Sequence, residues 1–154
     1  MKTRTVLLTL VTCLIGLTVC FAENPMIGTW KLNEGKSKLS PGATKSNTVV
    51  YEAAGDNIKC TIDGVDGQGK ATHLEWTGKF DGKDYPLSGD PNANMRSYKK
   101  INQRTMEGIT KKDAKVTATS RIVVSTDGKS RTVTTDLTDA EGKKTHNVGF
   151  YDKQ

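Results

Sequence analysis

The stretch Ile27-Gly28-Thr29-Trp30-Lys31-Leu32-Asn33 (IGTWKLN) indicates which kind of fold this chain of 154 residues adopts. It predicts a first β-strand that carries a glycine two residues before a tryptophan. A glycine inside a strand lets a neighbouring backbone or ring approach closely. A tryptophan side chain is large enough to plug one end of a narrow barrel. We therefore expect Gly28 and Trp30 to have structural roles.

The chain after this stretch repeats one kind of turn. Short segments that combine glycine with Asp, Asn or Lys separate runs rich in Val, Ile, Thr and aromatic residues. Glycine adopts positive φ without steric cost, so these segments favour tight hairpins, whereas the runs between them favour strands. The sequence predicts ten strands, over residues 28–33, 47–54, 58–65, 71–80, 84–88, 95–101, 104–111, 115–125, 130–138 and 144–153.

Several of these runs alternate apolar and polar residues. In the run 115–125, Val116 and Ala118 are expected on one face, and Thr117 and Thr119 on the other. One buried and one solvated face is typical of antiparallel sheets. Consecutive strands linked by hairpins must also protect their edges, which closure into a barrel achieves. The predicted fold class is therefore all-β, an antiparallel up-and-down β-barrel of about 8–10 strands.

Composition and charge limit what such a barrel could do. Hydrophobic residues make up 34% of the chain, which predicts an interior that is small or partly polar and hydrated. Small ligands fit in interiors of that kind. The net charge is +6, with the densest basic cluster between Lys99 and Lys112. Such a cluster could bind nucleic acid or an anionic polymer, but solvated hairpin ends are the favoured interpretation, so no nucleic-acid partner is predicted.

The first 22 residues have the order of a secretory signal peptide: basic, then apolar, then small. Lys2 and Arg4 precede the apolar run, and cleavage is expected after Ala22. The remaining residues, 23–154, are expected to form one domain that is periplasmic or secreted. We expect it to be monomeric and to meet a membrane only during export. A lipoprotein signal ending at Cys20 is the alternative.

Cysteine usage supports the same compartment. Removal of the signal peptide would leave Cys60 as the single cysteine, so the exported chain has no internal disulfide. A domain that depends on packing and strand pairing alone suits the bacterial periplasm better than a disulfide-rich secreted scaffold does. Cys60 alternates with Ile58 and Ile62, which predicts a buried thiol that acts as a small hydrophobic residue.

Two motifs at the ends of the predicted barrel resemble a known family. IGTWKLN at the start and Val148 to Gln154 (VGFYDKQ) at the end are similar to the two ends of intracellular fatty-acid-binding proteins. The wider lipocalin group is similar in its Gly-x-Trp on the first strand. The chain resembles an exported bacterial lipocalin-like domain of this calycin group. The resemblance implies a ten-stranded barrel that binds a hydrophobic small molecule inside.

Two features depart from the pattern of the fatty-acid-binding proteins. Those proteins have two helices between their first two strands, whereas residues 34–46 are too short for a helix pair here. Their arginine two positions before the terminal tyrosine meets the ligand's carboxylate; Tyr151 matches that tyrosine, but Gly149 stands in place of the arginine. The other arginines of the domain occupy no motif position and receive no role: Arg96, Arg104, Arg121 and Arg131.

The sequence therefore predicts a non-enzymatic protein, with no cofactor, that holds a small hydrophobic or amphipathic ligand in its barrel. The residues expected to line the ligand site are Ile62, Trp76, Phe80, Met106 and Tyr151. The alternative is a structural or interaction module of the cell envelope, with a filled barrel and no internal ligand. A small enzyme is the third hypothesis.

Two groups of polar residues could in principle bind metal. His73 and Glu75 share a strand face and His146 lies on the last strand, as zinc ligands could. Oxygen ligands for calcium are offered by Asp84, Asp90, Asn92 and Asn94. Neither spacing matches a metal-binding motif. Exposed strand and turn residues are the favoured interpretation, and no metal site is predicted.

Overall fold

A computed structural model describes residues 24–139 and 141–154, so the expected signal peptide lies outside the described residues. Within these ranges there is no helix long and apolar enough to cross a membrane. The described chain forms one 3₁₀ turn, Glu34–Lys36, and ten strands. The strands are β1 (Gly28–Leu32), β2 (Lys45–Ala54), β3 (Asn57–Val65), β4 (Ala71–Gly78), β5 (Tyr85–Ser88), β6 (Met95–Lys100), β7 (Thr105–Lys112), β8 (Lys115–Val124), β9 (Ser130–Thr138) and β10 (Lys144–Lys153).

The ten strands close into a barrel in which each strand pairs antiparallel with its neighbours in sequence. β1 completes the circle by pairing with β10, with Trp30 opposite Lys153 and Leu32 opposite Tyr151. The predicted fold class is confirmed, and every predicted strand is present with its ends within two residues of the expected positions. The segment between β1 and β2 holds only the 3₁₀ turn, as its length predicts.

The two ends of the barrel differ. One end, called the mouth here, is formed by the connections β1–β2, β3–β4, β5–β6, β7–β8 and β9–β10, whose residues border a large cavity. The other end, called the closed end, carries the remaining hairpins and both ends of the described chain. There the Gln154 backbone N–H donates to the Thr29 carbonyl oxygen, at 3.0 Å.

The core is concentrated toward the closed end. Trp30, Met106 and Val124 are completely buried there. A group of rings called the aromatic cluster fills one side of the barrel. Within it Trp76 stacks on Phe80 with 6.2 Å between ring centroids, and it meets Tyr98 edge-on at 4.9 Å. The cluster consists of Tyr51, Trp76, Phe80, Tyr85 and Tyr98.

A β-bulge corrects one expectation about β8. The register between β7 and β8 shifts so that Thr117 has no partner on β7. Such an extra residue reverses the alternation of faces on one side of the bulge. Val116, expected on the same face as Ala118, is therefore 44% exposed, while Thr117 borders the cavity. The prediction for these two residues was wrong, because simple alternation does not anticipate a bulge.

Candidate functional site

The candidate site is a cavity of about 1340 Å³ that opens at the mouth and reaches toward the closed end. Typical small-molecule sites occupy about 300–1,000 Å³, so this space is large enough for one. Side chains from most of the strands face it, because successive residues of a barrel strand point alternately inward and outward.

The two long walls of the cavity differ in chemistry. On the side of β1 to β4 its lining is mainly apolar, including Leu32, Val49, Ile62 and Leu74. On the opposite side Ser120 of β8 lies next to Thr135 of β9, which lies next to Asn147 of β10, and all three border the cavity. One wall therefore offers mainly apolar contact, and the other adds hydroxyl and amide groups to apolar side chains such as Ile122 and Val133.

The rim of the mouth is tied together by side-chain hydrogen bonds. Asn94 Nδ2 donates to Asp113 Oδ1 at 2.8 Å, and the Asp113 N–H donates back to Asn94 Oδ1 at 3.1 Å. This pair links the β5–β6 loop to the β7–β8 turn. Across the mouth, the Ser40 N–H donates to Asn147 Oδ1 at 2.7 Å, which fixes the β1–β2 loop to β10.

Trp30 is completely buried at the closed end of the barrel, in contact with Arg131, which borders the cavity. Its indole Nε1 donates to the Met26 carbonyl oxygen at 3.0 Å. Two cations flank its ring: the Arg131 guanidinium carbon is 4.7 Å from the ring centroid, and Lys153 Nζ is 5.2 Å from it. Cations over an indole face are attracted by its π electrons. The closed end is thus a tryptophan held between two basic side chains.

Gly28 makes room for one of those cations. Its φ is +123°, and a Cβ at this position would lie only 2.8 Å from Lys153 Cε. The close approach that the sequence predicted is therefore made by the stem of Lys153 on its way to Trp30, rather than by a backbone or a ring.

The five residues expected to line the ligand site fall into two groups. Ile62 and Tyr151 border the cavity. Trp76, Phe80 and Met106 do not border the cavity and pack in the hydrophobic core instead. Trp76 and Phe80 belong to the aromatic cluster, and Met106 is completely buried. A role in ligand binding stays a prediction for all five.

Two arginines that received no role face the cavity. Arg131 on β9 is only 2% exposed, and its guanidinium lies among three rings, with centroid distances of 4.7 Å to Trp30, 4.9 Å to Tyr151 and 5.3 Å to Tyr51. Arg96 on β6 is partly buried; its Nε donates to Thr110 Oγ1 at 3.1 Å and its Nη1 to the Tyr98 hydroxyl at 3.5 Å.

One signal in the sequence could have placed Arg131. It alternates with Val133, Thr135 and Leu137 on the same strand, and all four border the cavity. Two apolar residues at this spacing indicate the inward face of a strand. The structure also explains the glycine at position 149. A Cβ there would lie 2.9 Å from the ring of Tyr151, whose cross-strand neighbour is Arg131.

The acidic residues that border the cavity lie in the connections at its mouth, away from Arg131. No carboxylate in the described ranges lies within 4.0 Å of either guanidinium. The acidic residues that border the cavity all belong to the mouth connections: Asp66, Asp90, Asp113, Asp139 and Glu141.

Burial raises the pKa of three other interior groups, Cys60, Tyr51 and Tyr151. Burial raises the pKa of the Cys60 thiol to about 11. Burial also raises the pKa of Tyr51 well above its usual value, and it raises the pKa of Tyr151. Because a protonated phenol can donate a hydrogen bond, both tyrosines offer donors rather than negative charge.

The two histidines considered as metal ligands have different acidic partners, and Glu75 is 3.8 Å from His73 Nε2. His73 Nδ1 lies 2.6 Å from Asp63, and His146 Nδ1 lies 2.6 Å from Asp136, all with exposed side chains. Among the described residues no three His, Cys, Asp or Glu side chains are grouped as a metal site would need. In the calcium candidate, Asp84 pairs with Lys111 at 2.7 Å, and Asp90 Oδ1 and Asn94 Oδ1 accept from backbone N–H groups.

The fold and the cavity together define a closed, ten-stranded antiparallel barrel that is open at one end. No protein-family profile and no curated protein sequence matches the chain. Among solved structures the chain is similar to lobster apocrustacyanin A1, with 12% sequence identity and a TM-score of 0.39. The alignment covers 86% of this chain and 63% of that chain. The function of this chain must be argued from the cavity.

Proposed function

We propose that this protein is an exported, monomeric, non-enzymatic binding protein that holds a small amphipathic molecule inside its barrel. The observation that carries the proposal is the cavity of about 1340 Å³, which opens at the mouth and reaches inward to Arg131 and Tyr151. A barrel with a filled interior would instead favour an envelope interaction module. The order of residues in the first 22 positions supports export.

The walls support an amphipathic ligand. A molecule lying against Ile62 and Leu74 on one side and against Ser120 and Thr135 on the other would bury apolar surface and keep its polar groups hydrogen-bonded. The interior also favours binding over nucleophilic catalysis, because the pKa of Cys60 is about 11 and a neutral thiol is a poor nucleophile.

The experiment is a titration of the purified protein with N-phenyl-1-naphthylamine, an uncharged aromatic probe that fluoresces in apolar surroundings. We expect saturable binding of one probe per chain. The matched variants are Ala118→Trp, which places a large ring in the cavity, and Thr119→Trp, which places the same ring on the exposed face of the same strand. Ala118→Trp should weaken binding, because its ring takes up part of the cavity, and Thr119→Trp should preserve it. Absence of saturable binding to the unmodified protein, or equal binding by both variants, would refute the proposal.

A further inference from the structure

The arginine beside the closed end is a buried cation without a counter-charge. Arg131 Nε and Nη1 are buried and have no hydrogen-bond partner. Its ring contacts with Trp30, Tyr51 and Tyr151 stabilise the positive charge only in part, because an aromatic face supplies no hydrogen-bond acceptor for N–H groups in the guanidinium plane. Burying a charge without a partner lowers the free energy of unfolding, so stability does not explain why an arginine occupies this position.

The second arginine adds to the same field. Arg96 also borders the cavity, and its hydrogen bonds go to the neutral hydroxyls of Thr110 and Tyr98. The acids that border the cavity stand in the mouth connections. Two guanidinium groups therefore raise the potential of an interior whose buried tyrosines offer further donors. In a cleft enclosed by protein this potential acts over several ångströms, so an anion need not touch every guanidinium nitrogen to be attracted.

We propose that the ligand is a small organic oxyanion and that Arg131 is the residue that recognises its acidic group, with Arg96 as a second, shallower cation. This inference deepens the proposed function and depends on it. Carboxylates, sulfonates and phosphates share the chemistry that a guanidinium binds, namely two or more oxygens that accept charge-assisted hydrogen bonds. The hydrogen-bonding wall of β8 to β10 and the apolar wall of β1 to β4 receive the body of the molecule.

The test compares probes that differ only in the acidic group. 8-Anilinonaphthalene-1-sulfonate is N-phenyl-1-naphthylamine with an added sulfonate, and N-phenylanthranilate is diphenylamine with an added carboxylate. We expect the protein to bind each anionic member about 10- to 100-fold more tightly than its uncharged partner, the range that a charge-assisted hydrogen bond supports. A preference for only one anion would identify whether carboxylate or sulfonate geometry fits.

The variant that isolates the residue is Arg131→Met, with Arg121→Met as the matched control. Arg121 also lies on a barrel strand, but it is exposed and pairs with Glu107 at 2.6 Å. Arg131→Met should remove most of the preference for the anions while binding of the uncharged probes persists. Arg121→Met should change neither. Arg96→Met should reduce the preference less than Arg131→Met does.

The urea midpoint of Arg131→Met is a second readout. If Arg131 had only a structural role, its replacement would lower this midpoint. Because methionine has a similar length and no charge, Arg131→Met should leave the urea midpoint unchanged or raise it. A lowered midpoint with an unchanged anion preference would show that Arg131 only supports Trp30, and would overturn the inference.

The failures of the two proposals are distinguishable. If no probe binds at all, the proposed function fails. If the uncharged probes bind as tightly as the anions, or if Arg131→Met and Arg96→Met both keep the full preference, the oxyanion inference fails while the proposed function stands. If Arg131→Met does not fold, Arg131→Lys replaces it, and a retained preference for both anions over their uncharged partners then supports a charge at this position.

Discussion

Replacing Gly28 by alanine should destabilise the barrel through two separate effects. The first is backbone strain, since a φ of +123° is outside the regions that L-residues normally adopt and costs about 1–3 kcal/mol. The second is displacement of Lys153, whose Cε would lie 2.8 Å from the new Cβ. Moving Lys153 off the Trp30 ring forfeits a cation–π contact of about 0.5–2 kcal/mol. We expect a total loss of about 2–4 kcal/mol in the free energy of unfolding.

Equilibrium urea unfolding measures this loss, and a second glycine separates the two effects. Gly55 has a φ of +61° in the β2–β3 turn, and a Cβ there would have nothing within 4 Å. Gly55→Ala should therefore cost only about 1 kcal/mol, from backbone conformation alone. In a Lys153→Ala background the penalty of Gly28→Ala should shrink, because the clashing stem is gone. Equal penalties for the two glycines, or a Gly28→Ala penalty that Lys153→Ala leaves unchanged, would refute the reasoning.

Three further outcomes can be checked independently. Ala114→Gly should raise the free energy of unfolding by about 0.5–1 kcal/mol in urea titrations, because Ala114 has a φ of 69°. Cys60 should resist thiol reagents at pH 8 in the native protein and react after denaturation, since its pKa is about 11; fast native labelling would contradict its burial. The hydrogen bond from His73 to Asp63 raises the pKa of His73, so its NMR titration midpoint should exceed that of an ordinary histidine and fall in Asp63→Asn. The stabilisation from this pair is fully present below the unfolded pKa and is lost as pH rises through the folded one.

The fold was predictable because its information is local. Most of the connections contain a residue with positive φ, and glycines such as Gly55, Gly82, Gly128 and Gly142 mark those positions directly in the sequence. Strand ends follow from these turns, and closure pairs the two edge strands that an open ten-stranded meander would leave exposed. The turn at Asp113-Ala114 lacks glycine, so the sequence pattern is weaker there. The bulge at Thr117, shortly after this turn on β8, is not predicted by the pattern.

The site was harder to predict because its information is not local. Whether Trp76 borders the cavity or packs in the core depends on its contacts with Phe80 and with Tyr98, which belongs to another strand. Arg131 matches no family motif, although its spacing with Val133 indicates an inward side chain. Its missing counter-charge could not be inferred from sequence at all, since it requires the positions of every carboxylate around the barrel.

The placement of the chain ends has a practical consequence for handling the molecule. The Gln154 backbone N–H donates a hydrogen bond to the Thr29 carbonyl oxygen, and Lys153 Nζ donates to the Pro25 carbonyl oxygen at 3.4 Å. Both ends of the described barrel therefore lie near Trp30 and away from the mouth. A molecule immobilised at Gln154 would present its mouth to the solution. Surface-based kinetic measurements can therefore use a tag after Gln154 without obstructing entry to the cavity, which a tag inserted at a mouth loop would do.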